Sequence, residues 1–450
     1  MTVKVRFAPS PTGKLHVGNI RAALLNWLFA HKNDGVFLLR SDDTDQARST
    51  EAFEKGIQTD LAWLGLTHHE FARQSERFKV YDDVSEYLRA EGYLYPCFET
   101  PEELDRKRKL QRARGLPPVY DRAALSLSEA DREKYRAEGR EPHWRFKLSR
   151  EVVQWTDLIR GDTSVDTASV SDPVLIREDG QYLYTLPSCI DDVDFAITHV
   201  VRGEDHVTNT ATQIEVFKAV MAYRGEGTLP AFGHHSLLVG KEGEALSKRL
   251  GSLSIEGMRE QGIEPAAITS LLARLGTSDP VEAVTDLSKL ADGFSFDRMG
   301  RAPARFDMDE LMQLNAKILQ MTDYADVEDR LSAMGVDEQL WLAVRGNITT
   351  LNDAAQWRSI VEGEIDPVIA PEDREATDAA AAAVPEGTIT EDDWSKLTNA
   401  VKEATGRKGK QLFMPLRLAL TGQSHGPEMA TMFARIGSKK AKARLSGNRA

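Results

Sequence analysis

RFAPSPTGKLHVGNIRAALLNWLFA (residues 6–30) sets Arg6, Ser10, Lys14 and His16 in a loop broken by Pro and Gly, between one segment that reads as a strand and one that reads as a helix. Upstream, the alternation of Val3, Val5 and Phe7 predicts a strand. Downstream, Ile20, Ala23, Leu24, Trp27 and Leu28 follow the i, i+3, i+4, i+7, i+8 stripe of an amphipathic helix. GVFLLR (35–40) supplies a second apolar strand, so the opening is β-loop-α-β, the unit of a parallel sheet with a right-handed crossover. This predicts an α/β, Rossmann-like nucleotide domain. A loop entering a helix presents free backbone N–H groups and the positive end of the helix dipole, which suits phosphate. Gly13 and Gly18 permit close backbone approach, and Lys14 and His16 offer donors to an anion. It is not a Walker loop, because no glycine stands five residues before Gly13 and neither Ser nor Thr follows Lys14. A purely structural turn is the competing use of the same residues.

The chain has 450 residues, a length that predicts roughly two to four domains. Its 41% hydrophobic and 28% charged residues are those of an ordinary globular protein, and no apolar run approaches the roughly 20 residues needed to cross a bilayer. Solubility and no membrane partner are therefore expected. The first strand begins too early for a signal peptide, and Cys97 and Cys189 are the only cysteines, so a cytoplasmic location is expected. A net charge of −13 argues against indiscriminate nucleic-acid affinity and confines any such partner to a basic face. DRKRKLQRARG (105–115), GRKGK (406–410) and SKKAKARLSGNRA (438–450) are the basic stretches, and solvated helix faces or a loose tail explain them as well as RNA does.

Outward from the opening, residues 1–95 are read as the first half of the catalytic domain. From 96 to 185 the texture changes to charged helix, a Pro-Pro turn and short strands such as HWRFKL, which predicts an α+β insertion. Residues 186–240 return to buried strands in DFAITHVVRGEDH (194–206) and FGHHSLLVG (232–240). The next region, 241–310, opens with GEALSKRLGS (243–252), a polar, glycine-flanked loop whose adjacent Lys248 and Arg249 could close over a polyphosphate; a surface salt-bridging loop is the alternative. Residues 311–450 read as all helical, with DAAAAAVPEG (378–387) as a helix end or linker. Asp191-Asp192 and DDTD (42–45) are read as caps and buried ion pairs rather than as a metal site. His234-His235 lacks a third ligand and is assigned to the adenosine pocket or the sheet end.

HVGN (16–19) and LSKR (246–249) resemble the HIGH and KMSKS signatures of class I aminoacyl-tRNA synthetases. The longer matches LLRSDDTD, THVVRGEDH, GEALSKRLGSLSI, RAPARFD and GKQLFMPLRLALTGQSHGPEM resemble the bacterial glutamyl-tRNA synthetases and, with the opening stretch, span residues 6 to about 429. The resemblance implies a Rossmann-like parallel-sheet catalytic domain whose insertion contacts the tRNA acceptor end. A helical stem-contact region (241–310) and an all-α anticodon-binding domain (311–450) follow. It implies that L-glutamate is activated by ATP as glutamyl-adenylate and passed to tRNA(Glu), with Mg2+ accompanying the ATP. Within it, His16, Lys248 and Arg249 are catalytic, Gly18 and Asn19 join His16 and Lys248 at ATP, and Arg6, Ser10, Asp42, Tyr184, Ser188 and Arg202 form the glutamate pocket, with Asp42 on the ammonium. Arginine forks suit carboxylates and keep their charge, which is why Arg6 and Arg202 are singled out.

The departures from the family pattern carry their own expectations. Asn19 replaces the last His of HIGH, leaving His16 as the main imidazole. Asp42, preceded by Ser41, replaces a Glu, and Ser188 stands where many relatives carry Asn. Some relatives bind zinc through a Cys-x-Cys pair and a later Cys; here Cys97 is followed by Glu99 and no cysteine lies near PVYDRAAL, so no structural zinc is expected. A monomer is expected by resemblance. Two other functions fit the same resemblance: an enzyme that also glutamylates tRNA(Gln), and a catalytically silent tRNA-binding paralogue, against which the retained His16, Arg6, Arg202, Tyr184 and Lys248 argue.

Overall fold

The structure is a computed structural model and describes residues 2–246 and 253–450. It divides into two compact units. The first holds the residues up to 257 together with 269–281 and 286–307; the second holds 258–268, 282–285 and 308–450.

The first unit carries the strands: β1 (Lys4–Phe7), β2 (Val36–Ser41), β3 (Glu70–Arg73), β4 (Leu94–Cys97), β5 (His143–Phe146), β6 (Val152–Asp157), β7 (Gly161–Asp166), β8 (Val174–Ile176), β9 (His199–Gly203), β10 (Ala231–His235), β11 (Leu238–Gly240) and β12 (Ala304–Phe306). The predicted β-loop-α-β opening is present as β1, the helix Val17–Lys32 and β2, with β1 and β2 parallel in the register Val5↔Phe37. Gly35 makes the entry into β2 possible, because a Cβ there would lie 2.5 Å from the carbonyl oxygen of Val3. β3 continues the parallel sheet beside β2. On the other side the Thr198 N–H donates to the Lys4 carbonyl (2.9 Å). That bond lays β9 beside β1, and β10 pairs parallel with β9.

The segment 96–185, read as an α+β insertion, contributes strands to two sheets. β4, β5 and β8 form their own antiparallel sheet. β6 and β7 form a hairpin whose first strand pairs parallel with β10, at Phe232↔Asp157, so the second sheet runs β7-β6-β10-β9. A single apolar core accordingly contains Leu38 of β2, Phe146 of β5, Val153 of β6 and Phe232 of β10. FGHHSLLVG, read as one strand, is two, with β11 turning away after Ser236 to pair with β12.

From Met308 onward the described residues of the second unit are helical throughout, around two cores centred on Trp341 and on Leu416 with Phe433. The basic 438–450 segment is not a loose tail. It forms the helix Ser438–Leu445, and Arg444 is fully buried, donating to the carbonyls of Leu420 (2.8 Å), Gly363 (3.0 Å) and Ala450 (2.8 Å).

Candidate active site

β1 ends in the turn that carries Ser10, which is exposed, and the chain then enters the helix Val17–Lys32 with His16 as its N-cap. Imidazole Nδ1 of His16 accepts the Gly18 N–H (3.1 Å), and Asn19 Oδ1 accepts the His16 N–H (3.2 Å), a reciprocal capping box. The sequence HVGN is therefore a helix start first. Accepting at Nδ1 leaves Nε2 as the ring's donor edge, and burial lowers the imidazole pKa, so the cap stays neutral. Gly18 leaves room for the ring: a Cβ there would stand 3.0 Å from Cε1 and 3.1 Å from Nδ1 of His16, and the imidazole would have to give way by a few tenths of an ångström.

The segment following LSKR is joined to this loop through the main chain. The Val17 N–H donates to the Leu253 carbonyl (3.3 Å) and the Ile255 N–H to the Leu15 carbonyl (3.0 Å), bridging His16 and Ser254. Lys14 pairs with Glu256 on the same segment. The two signatures, more than 200 residues apart in sequence, thus have adjoining flanks, while Lys248 and Arg249 themselves lie outside the described residues.

The parallel sheet delivers a buried charge cluster beside this loop. Arg6 donates through Nε to both oxygens of Asp192 (3.1 and 3.2 Å), and its two Nη groups have no partner among the described residues. Arg40, two positions before Asp42 and so on the same face of the chain, is fully buried. It donates Nε to Asp42 (2.6 Å), Nη1 to Asp192 (2.7 Å) and Nη2 to both Asp42 (3.2 Å) and the Ser188 hydroxyl (3.0 Å). The sequence singles out Asp42 for a substrate ammonium but gives no sign of Arg40, the buried partner that holds it. Burial pushes the Asp42 carboxyl up to about 6 against the opposing pull of Arg40. Burial likewise disfavours the Arg40 charge, but Asp42, Asp192 and Asp191 outweigh it and raise its pKa. Asp191, next in the helix Thr185–Asp194, accepts from Gln74, Arg77 and Tyr81, so both carboxylates of the Asp-Asp pair serve in buried ion pairs.

Arg202, at the end of β9, donates Nη1 to the Tyr184 hydroxyl (3.0 Å), Nη2 to Thr210 Oγ1 (2.6 Å) and Nε to His234 Nε2 (3.4 Å). Tyr184 stands at the head of the helix Thr185–Asp194 and is 38% exposed, so the pair is the solvent-facing end of a buried arrangement. His234 is completely buried, at the end of β10; its neighbour His235 is driven down to about 3 by burial and the nearby Arg21.

One grouping was not anticipated. Cys97, Glu99 and His143 bring ligand-type atoms within 4.8 Å of one another; His143 reaches them from β5, paired across the sheet with β4. They are three donors rather than the four of a structural zinc site. Burial pushes the Cys97 thiol up to about 12, the Tyr120 hydroxyl donates to Glu99 (2.8 Å), and Lys107 stands 3.5 Å from the same carboxylate.

Comparison with known proteins gives matches along the chain. Residues 2–313 match the family model for tRNA synthetases class I (E and Q), catalytic domain, and residues 320–448 match that for an anticodon binding domain. Glutamate--tRNA ligase 1 of Maricaulis maris is 55% identical over 450 residues, covering 99% of this chain and 100% of that protein. Glutamate--tRNA ligase 2 of Hyphomonas neptunium is 56% identical, covering 98% and 99%. The crystal structure of a glutamate tRNA ligase from Elizabethkingia meningosepticum in complex with its amino acid superposes with a TM-score of 0.84 at 28% identity, covering 99% of this chain and 98% of that one.

Proposed function

Because this chain belongs to the class I tRNA synthetases (E and Q), we propose that it joins L-glutamate to tRNA(Glu), with ATP as co-substrate, as a glutamate--tRNA ligase. The observation that carries the assignment is the neutral His16 cap, stapled through Leu253 and Ile255 to the segment that follows LSKR. It brings the phosphate-binding type of loop into the same unit as the buried guanidiniums Arg6, Arg40 and Arg202.

In the first step a glutamate α-carboxylate oxygen attacks the α-phosphorus of ATP; the P–O bond to pyrophosphate breaks, leaving glutamyl-adenylate. In the second, a terminal ribose hydroxyl of the tRNA attacks the acyl carbon, loses its proton, and AMP departs. Negative charge builds on phosphate oxygens in the first step, and preorganised donors stabilise it without a protein nucleophile. His16 Nε2, Lys248 and Arg249 supply those donors, with Gly18 and Asn19 at the nucleotide and Mg2+ carried by the ATP. Arg6 and Arg202 bind the substrate carboxylates, with Tyr184 beside Arg202 and Ser10 at the turn. Asp42 takes the ammonium, held in place by Arg40, which also fixes Ser188. Residues 96–185 contact the acceptor end, 241–310 the stem and 311–450 the anticodon. The enzyme acts as a cytoplasmic monomer. Zinc has no part in this reading, since the Cys97 group offers three donors where a structural zinc takes four, and Tyr120 and Lys107 already hold one Glu99 oxygen.

Aminoacylation with separate tRNA(Glu) and tRNA(Gln) transcripts tests the assignment. Glutamate is expected on tRNA(Glu); acylation of both transcripts makes the enzyme non-discriminating, and acylation of neither overturns the proposal.

A further inference from the structure

Arg202 is held from behind by a chain of buried groups that begins in the β6–β7 hairpin, within the part of the sequence read as an insertion. Asp157, the last residue of β6, is fixed at one oxygen by three backbone donors: Oδ1 accepts the N–H groups of Ile159 (3.0 Å), Arg160 (3.0 Å) and His234 (3.1 Å). Its other oxygen, Oδ2, meets His234 Nδ1 at 2.5 Å and the Trp155 indole N–H at 3.4 Å. His234 Nε2 then faces Thr210 Oγ1 (2.8 Å) and Arg202 Nε (3.4 Å).

The proton positions follow from this geometry. Burial works against the Asp157 charge, but the His234 bond and the backbone N–H groups outweigh it and hold the carboxylate down at about 2. The proton shared with His234 therefore sits on Nδ1. Burial lowers the His234 pKa despite that bond, and Arg202 opposes a second positive charge beside its own. The ring is the neutral Nδ1–H tautomer, so Nε2 presents a lone pair shared by the Thr210 hydroxyl at 2.8 Å and the Arg202 Nε–H at 3.4 Å. Of the five N–H donors of a guanidinium, three are engaged, by His234, Thr210 and Tyr184, which leaves one on each Nη for a ligand.

We propose that Asp157 and His234 are positioning residues for substrate recognition: Asp157 fixes the tautomer of His234, and His234 orients the guanidinium of Arg202 so that its two remaining donors meet a substrate carboxylate as a fork. The inference rests on the reading of Arg202 as a glutamate-binding residue. It also assigns a role in the amino-acid pocket to a strand of the 96–185 region.

Asp157→Asn tests it with minimal change of shape. The three backbone donors oblige the amide oxygen to occupy the Oδ1 position, which turns the NH2 group onto His234 Nδ1. The ring must then carry its proton on Nε2, where it meets Thr210 Oγ1 and leaves the Arg202 Nε–H without an acceptor. Two readouts separate positioning from simple structural support. In histidine-15N NMR of the full-length protein, with the His234 resonances assigned by their loss in His234→Gln, the wild type is expected to show protonated Nδ1 and bare Nε2, and Asp157→Asn the reverse. In glutamate-dependent ATP–pyrophosphate exchange with tRNA present, Asp157→Asn is expected to raise the glutamate KM about 10- to 100-fold, the usual weight of a hydrogen bond to a charged group, while the ATP KM holds. His234→Leu should match that loss, and His234→Gln, which can turn a carbonyl oxygen toward Arg202, should recover most of it. A protonated Nε2 in the wild type, or an unchanged glutamate KM in folded Asp157→Asn, overturns the inference. A wild type that fails to use glutamate at all counts against the proposed function, and the NMR arm still decides the tautomer.

Discussion

Arg40 shows what a single buried charge can control. It is fully buried and bonded to Asp42, Asp192 and Ser188, and Asp192 in turn holds Arg6. One guanidinium thus couples the carboxylate proposed for the substrate ammonium to the cation proposed for a substrate carboxylate. With its carboxyl pushed up to about 6, Asp42 is charged above that pH and neutral below it. The wild-type glutamate KM is therefore expected to rise as pH falls through about 6 and to be flat above it. Arg40→Gln removes the cation that opposes the burial effect, so the bend moves to higher pH and the KM at neutral pH increases. Glutamate KM measured for both proteins between about pH 5 and about pH 9 checks this. A wild-type profile flat through pH 6 would remove Asp42 from ammonium binding. The sequence made Arg6, Asp42 and Arg202 legible as charges worth attention, but not the partner of any of them.

The helix Val17–Lys32 links the nucleotide loop to the rest of the unit through Arg21, which is buried and, among the described residues, has no carboxylate bonded to it. Its Nη1 donates to the Ser236 carbonyl, just past β10, and its Nη2 to the Leu275 carbonyl (2.9 Å), just past the helix Pro265–Arg274. Burial lowers its pKa to about 10, with Glu204 pulling the other way, so it remains charged at neutral pH. Arg21→Met keeps much of the apolar stem and strands both carbonyls. We expect it to cost about 3 kcal/mol, read as a lower urea midpoint at unchanged m. A midpoint within about 0.5 kcal/mol of wild type would mean that water replaces the guanidinium at both carbonyls. At this scale the sequence was informative where periodicity is local: the opening strand, its helix and β2 all form. It left open which sheet the β6–β7 hairpin joins, because short alternating strands state which face is apolar but not which strands they will pair with.

Across the whole molecule, the region expected to meet the tRNA acceptor end shares a core with the catalytic sheet and delivers Asp157 to the back of Arg202. In the proposed reading, tRNA bound to that region would reach the proposed amino-acid pocket through Asp157 and His234. Glutamate-dependent ATP–pyrophosphate exchange is expected to require tRNA, and equal rates with and without tRNA(Glu) would contradict this. The net charge of −13 adds that binding must use basic faces rather than overall attraction, so the exchange should weaken as salt rises. By itself the sequence determined the parallel-sheet opening, the helix that follows its loop, the helical last third and, through its ordered motifs, the family. Those features are written in spacings of a few residues, where backbone period and capping chemistry act. Only the tertiary structure decided that Arg6 meets Asp192 across 186 positions, that Asp157 meets His234 across 77, and that His143 joins Cys97 and Glu99. A charged side chain does not announce its partner: the pairing is fixed by which strands lie side by side once the apolar faces are buried, and burial then makes an unpaired charge too costly to leave.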